Sequence, residues 1–168
     1  MALIKNGKIV ADPWLSVAAA APLPDSGDII VSLARWQAEK AQLLGRNAGI
    51  GVRLKNDQPV DTVAEHMTRF GVIALEFPIY RDGRAFSQAR LVRERHKFRG
   101  ELRATGNVLR DQLLFMQRCG FDAFETDDPR LLAGWRDSLG EFSVFYQPTE
   151  DGRKTADILR RGVADRSR

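Results

Sequence analysis

From residue 28 onward the apolar residues fall into short runs rich in Val, Ile, Leu and Phe, at 28–33, 49–55, 72–80, 100–105, 121–126 and 141–147. Stretches in which apolar positions recur at helical spacing separate these runs. Such alternation predicts about six βα units, and so a mostly parallel sheet with right-handed crossovers. Within the runs side chains alternate between two faces, as they must in a strand. Ile73, Leu75 and Phe77 share one face with the matching positions Val52, Leu54, Leu102 and Ala104. The opposite face combines small residues with Arg53, Glu76, Glu101, Arg103 and Glu125. Central strands of a sheet covered on both sides would be apolar almost throughout. A row of charges on one face, expected near the C-terminal strand ends, suits the lumen of a TIM-like barrel instead.

A complete barrel of eight units takes about 250 residues. A chain of 168 residues therefore predicts a truncated or open TIM-barrel-like sheet, with a doubly wound open sheet as the alternative. In both, ligands bind beyond the C-terminal strand ends. Before residue 28, Leu3 to Val17 alternates around Asn6-Gly7 and predicts a hairpin arm, followed by a Pro-containing loop from Ala18 to Gly27. Asn107 is expected to cap a helix carrying Leu109, Leu113 and Met116, which Gly120 ends. Asp128-Pro129 is expected to start another, with Leu132, Trp135 and Leu139 on its buried face. Beyond Asp151 only Ile158, Leu159 and Val163 are larger apolar residues, which predicts a short, fraying helix. The whole chain is read as a single α/β domain: arm and loop over 1–27, βα core over 28–148 and basic tail over 149–168.

The net charge of +4 changes this picture little once it is located. Residues 1–80 balance eight basic against eight acidic groups, while 81–110 hold nine basic and three acidic groups, a local +6. Residues 111–150 then hold three basic and eight acidic, a local −5, and 151–168 hold six and three, a local +3. A basic segment followed by an acidic one reads as neighbouring elements that neutralise each other, so no nucleic-acid partner is expected. No membrane association is expected either, because the longest apolar stretch, Val17 to Pro24, is far below the roughly 18 residues a span needs. The N-terminus lacks the pattern of a secretory signal, and a single cysteine fits a reducing, cytoplasmic compartment. An iron–sulfur cluster or a structural zinc site usually takes about four ligands, and the chain offers one Cys and two His; it has neither a dinucleotide fingerprint nor a phosphate loop. No metal and no cofactor are expected. Cys119, in the last turn of a helix, is read as a buried structural thiol, and His66 and His96 as solvated residues on polar helix faces.

The central motifs are Phe77-Pro78, Arg81-Asp82-Gly83-Arg84, Gly100-Glu101-Leu102-Arg103-Ala104, Asp111-Gln112 and Arg118-Cys119-Gly120-Phe121-Asp122. Over about residues 49–148 they resemble the core of a bacterial family of unknown function whose members are described as an oxidoreductase involved in sulfite reduction. The resemblance implies a cytoplasmic role in sulfur assimilation and carries no catalytic assignment.

Two groups of residues are candidates for chemistry. Glu76, Glu101 and Glu125 are catalytic candidates, as strand-end carboxylates able to move a proton. Arg53, Arg81, Arg84 and Arg103 are candidates for binding an oxyanion, because guanidinium groups match its geometry. Asp82 and Gly83 are expected to shape the turn that presents Arg81 and Arg84. Three functions follow from these readings. The first is an accessory protein of assimilatory sulfate or sulfite reduction that binds an oxyanion or docks onto a sulfite reductase or another sulfur-assimilation enzyme. The second is a small TIM-like lyase or isomerase acting on an anionic metabolite, and the third a non-catalytic structural partner. A homo-oligomer is left open.

Overall fold

In the computed structural model, which describes residues 1–128, 131, 133–135, 144–149 and 151–165, the five β-favouring runs between residues 28 and 126 all form strands. These are β4 (Asp28–Ser32), β5 (Ile50–Leu54), β6 (Phe70–Phe77), β7 (Glu101–Gly106) and β8 (Ala123–Thr126). β6 starts two residues earlier than predicted and stops at Phe77, because Pro78 has no N–H for the ladder. The N-terminal residues add β1 (Ala2–Lys5), β2 (Lys8–Val10) and β3 (Trp14–Ser16). All eight strands belong to one sheet in the order β2-β1-β8-β7-β6-β5-β4-β3. Pairings from β3 to β8 are parallel, whereas β1 runs antiparallel to both β8 and β2.

The expected arm is thus part of the sheet. Asn6 and Gly7 take the positive φ values, 51° and 72°, of a two-residue hairpin turn between β1 and β2. Trp14–Ser16, by contrast, leaves the hairpin and pairs with β4 at the far edge of the sheet. The sixth predicted strand, 141–147, falls partly among residues that are not described. Its residues 141–143 lie outside the described residues, and Phe145 makes only an isolated bridge to Thr155.

Helical segments fill the crossovers between β4 and β8. They are α1 (Leu33–Ala38) with α2 (Lys40–Leu44), a 3₁₀ segment over Val60–Arg69, α3 (Arg84–Arg90) continued by a π turn to Arg95, and α4 (Leu113–Arg118) after a 3₁₀ turn. Ser32 Oγ caps α1 by accepting from Arg35 N at 3.3 Å. Asn107 does not cap α4. Its N–H instead donates to Phe77 O, and the helix starts six residues later. Gly120 ends α4 as expected, with φ +104° and the paired bonds Gly120 N–H to Gln117 O and Phe121 N–H to Met116 O. Of the expected helix after Asp128, residues Pro129, Leu132 and Leu139 lie outside the described residues. Ala156–Asp165 forms the C-terminal helix.

One apolar cluster joins the predicted greasy face to the helices. Val31, Val52, Leu54, Ile73, Leu75, Phe77, Leu102 and Ala104 pack with Trp36, Leu43, Ala89, Val92, Leu113 and Met116. The parallel strands follow chain order without the reversal that defines a doubly wound sheet, so that alternative is set aside. The sheet curls into a half-barrel. A flat sheet of eight strands would hold its edges about 34 Å apart at ~4.8 Å per gap. The edge strands β2 and β3 are joined by Ala11, Asp12 and Pro13 alone, which reach about 14 Å at full extension. Curling is the only way to satisfy both, and it leaves the charged face concave.

Candidate functional site

Parity places Arg53, Ala74 and Arg103 side by side across β5, β6 and β7 on the concave face. Arg103 lies at the centre, with a side chain that is 0% exposed. Its Nε donates to Glu101 Oε1 at 2.6 Å, two residues away on the same strand and so on the same face. Its Nη1 donates to Glu125 Oε1 at 2.8 Å on the adjacent β8 and to Asp12 Oδ2 at 2.7 Å, and its Nη2 donates to Asp12 Oδ1 at 2.9 Å. Burial by itself would lower the Arg103 pKa, but the three carboxylates outweigh it and raise the pKa above its ordinary value. Burial would likewise raise the Asp12 carboxyl, and hydrogen bonds from Arg103 and from Trp14 N–H bring it down below its usual value.

Two further cations complete the cluster. Lys5 Nζ on β1 donates to Glu101 Oε2 at 2.7 Å. Arg53 Nη2 bridges Glu125 Oε2 at 3.4 Å and Ser16 Oγ at 3.2 Å, so one side chain links β5 to both β3 and β8 across the concavity. Three cations, Lys5, Arg53 and Arg103, therefore face three carboxylates, Asp12, Glu101 and Glu125. Chemically this is a closed, neutral ion network built round a buried guanidinium.

The structure brings together Arg53, Glu101, Arg103 and Glu125 of the predicted residues and leaves the others apart. Glu76 shares the concave face, in register with Thr105, but is not a partner of Arg103. Glu101 is the first residue of β7, so the cluster runs along the strands and is not confined to their C-terminal ends. Arg84 turns back on its own loop, with Nη2 donating to Asp82 Oδ2 at 2.6 Å and Nε to Asp82 Oδ1 at 2.9 Å. The hydrogen bonds from Arg84 hold the Asp82 carboxyl at about 2. Arg81 lies 5.3 Å from the Tyr80 ring centroid. Arg81 and Arg84 thus share no partner with Arg53 or Arg103, so the four candidate anion-binding arginines do not form one site. Gly83 has φ −82°, a conformation open to any residue, so Asp82 alone shapes the turn by accepting from Arg84 N–H.

Asp12 and Lys5 were missed by sequence reasoning. Asp12 stands 91 positions from Arg103, and nothing local in Ala11-Asp12-Pro13 marks it as a partner. Cys119 is fully buried and its thiol is pushed up to about 11 by burial, which keeps it protonated and unreactive. The histidines are not solvated as expected. Both are half-buried, His96 sharing a hydrogen bond of 2.9 Å with Asp61 and His66 edge-on to Trp36 at 5.7 Å.

Among the described residues no three His, Cys, Asp or Glu side chains are grouped so as to hold a metal ion. Nor does any described helix have the length and apolarity to cross a membrane. A cleft of about 260 Å³ lined by Met67, Phe70, His96, Lys97, Phe98 and Arg99 lies at the N-terminal ends of β6 and β7. Another of about 530 Å³, bordered by Pro24, Gln42 and Arg46, lies at the same end of β4 and β5. Neither includes a residue of the ion network.

Residues 51–156 match a family model described as "Bacterial protein of unknown function (DUF934)", in agreement with the resemblance drawn from residues 49–148. Comparison with curated proteins gives no match.

Proposed function

The chain belongs to this bacterial family of unknown function, and from that premise we propose that it is a cytoplasmic accessory protein of assimilatory sulfite reduction that docks onto a sulfite reductase. The sulfur assignment rests on the family resemblance carried by the motifs around Arg81-Asp82-Gly83-Arg84 and Gly100-Glu101-Leu102-Arg103-Ala104. The observation that carries docking is an exposed aromatic and aliphatic patch formed by the loop after β6 and by α4, which are tied together where Gln112 Nε2 donates to Tyr80 O at 2.9 Å. Ile79, Tyr80 and Phe115 are 56%, 50% and 43% exposed, and the Phe115 ring packs at a tilt against Phe86, 4.8 Å between centroids. Arg81 borders the patch and has no carboxylate partner among the described residues. Clustered Tyr, Phe and Arg are the residues that dominate interface energetics, and an unpaired cation at the rim selects an acidic counterpart. On this reading the half-barrel is an open relative of the TIM barrel, and the patch sits where such folds place their function, on a loop that follows a strand's C-terminal end.

The lyase or isomerase reading is less well supported. Glu101 and Glu125 each commit an oxygen to Arg103, which leaves neither poised to take a substrate proton.

Co-purification with a purified sulfite reductase tests the proposal. Tyr80→Ala and Arg81→Glu should each weaken retention at least about tenfold, the scale of one interface residue worth about 1.4 kcal/mol, while leaving the melting temperature within about 2 °C. A deletion strain should grow poorly on sulfate and sulfite and be rescued by sulfide. Unimpaired growth on all three would remove the sulfur assignment, and retention unchanged in both variants would remove the docking patch.

A further inference from the structure

We propose that the concave face holds a binding site for a small monoanion centred on Arg103, and that Asp12 is its built-in occupant, laid over it by the segment 11–13. The inference is independent of the docking role. Arg103 is inaccessible to solvent, and a buried guanidinium must be matched by counter-charge. The sheet itself supplies part of that match through Glu101 on Nε and Glu125 on Nη1. The remaining Nη1–Nη2 edge takes both oxygens of Asp12, at 2.7 and 2.9 Å. This end-on, two-oxygen pairing is one that a guanidinium offers to any carboxylate or small oxyanion.

Asp12 differs from the other two carboxylates in how it is held. Glu101 and Glu125 are fixed by strands, whereas Ala11, Asp12 and Pro13 are exposed and lie in none of the strands. The Asp12 side chain is 33% exposed, and its other bond, from Trp14 N–H at 3.0 Å, stays within its own segment. Solvent therefore reaches the occupant but not the guanidinium beneath it. The charge balance sets the class of ligand. Within the hydrogen-bonded network three cations meet three carboxylates with Asp12 in place, and with Asp12 withdrawn Lys5, Arg53 and Arg103 meet Glu101 and Glu125, a net of +1, while Glu76 on the same face pairs with none of these groups. One negative charge restores neutrality and a dianion overshoots. The ligand is thus a singly charged anion with two oxygens that can lie in the guanidinium plane, of the size of formate or acetate. Because Asp12 is tethered, it competes at an effective concentration of about millimolar or above, so the intact chain should bind such anions weakly.

Chemical rescue tests this. Thermal unfolding of the full chain is compared with Asp12→Ala and Asp12→Asn, in sodium formate, sodium sulfate and sodium chloride at equal ionic strength. Asp12→Ala should lower the melting temperature by about 5–10 °C, formate should restore about half of that loss or more, and sulfate should restore less. The intact chain should respond to formate by about 1 °C or less beyond chloride. Asp12→Asn keeps an acceptor for Trp14 N–H without the charge, and should show a formate response of the same sign but smaller, because its amide still fills the site, which serves as the readout should the alanine variant not fold. A formate shift equal in the intact chain and the variants, or absent from both variants, would overturn the proposal and leave Asp12 as a tie for the linker only. Neither result touches the docking patch, which is read by co-purification and growth.

Discussion

Arg103 places four charge-assisted hydrogen bonds on three carboxylates that come from β7, β8 and the linker before β3. Breaking such a buried set by removing its shared partner leaves the other charges without compensation. Arg103→Met should therefore destabilise the protein by about 3–5 kcal/mol in urea unfolding, and Arg103→Lys by a comparable amount, because a point charge cannot reproduce the planar fork. A loss below about 1 kcal/mol in both would mean that the network contributes nothing net. The same cluster sets a pH dependence. The Asp12 carboxyl lies below its ordinary value in the folded chain, so the folded state holds that proton less tightly than the unfolded state. Asp12 then contributes stability above the ordinary carboxylate pKa of about 3.9, and the contribution is lost as pH falls through the lower folded value. Unfolding midpoints measured between pH 6 and pH 2 should fall less steeply for Asp12→Asn than for the intact chain. Parallel acid limbs would show that Asp12 does not titrate with folding. Glu101, Arg103 and Glu125 could be named from strand parity because same-face neighbours lie two residues or one strand apart. Asp12 could not, because its contact depends on the chain returning over the sheet.

At the scale of elements, local chemistry explains most boundaries. Pro78 stops β6, Asn6-Gly7 makes the hairpin turn and Gly120 closes α4. Gly120 also permits a close approach. A Cβ there would lie 2.5 Å from Arg93 Cγ, and Arg93 donates to Gly120 O, Phe98 O, Gly100 O and Asp122. Gly120→Ala should cost about 1–3 kcal/mol, from the left-handed conformation and the displaced Arg93 together. A change within about 0.5 kcal/mol by urea unfolding would show that the turn relaxes without strain. Elements with weak local signals were misplaced. The alternation over Leu3 to Val17 assigns the three residues of β3 to the hairpin, whereas their hydrogen bonds place them beside β4. The start of α4 was predicted from Asn107, whose N–H serves the turn after β6 instead.

For the whole molecule, the N-terminal sixteen residues govern how the sheet ends. β1 and β2 cover the free edge of β8, β3 covers that of β4, and the linker between them supplies Asp12. A variant lacking residues 1–16 should expose two parallel-sheet edges, leave Arg103 short of a counter-charge and associate into large species by light scattering. A monodisperse product with an unchanged melting temperature would refute that role. The amino-acid sequence by itself determined the βα alternation, five of the strands, the division into a greasy and a charged face and the membership of Arg53, Glu101, Arg103 and Glu125 in one row. It could do so because periodicity and strand parity are local properties, set by backbone geometry over a few residues. Only the tertiary structure decided that the sheet is half-closed, that β3 lies at one edge while β1 lies near the other, and that Asp12 reaches Arg103 across 91 positions. Those features depend on which distant segments meet once a sheet too wide to lie flat is drawn round by a three-residue linker, and no local pattern records that encounter.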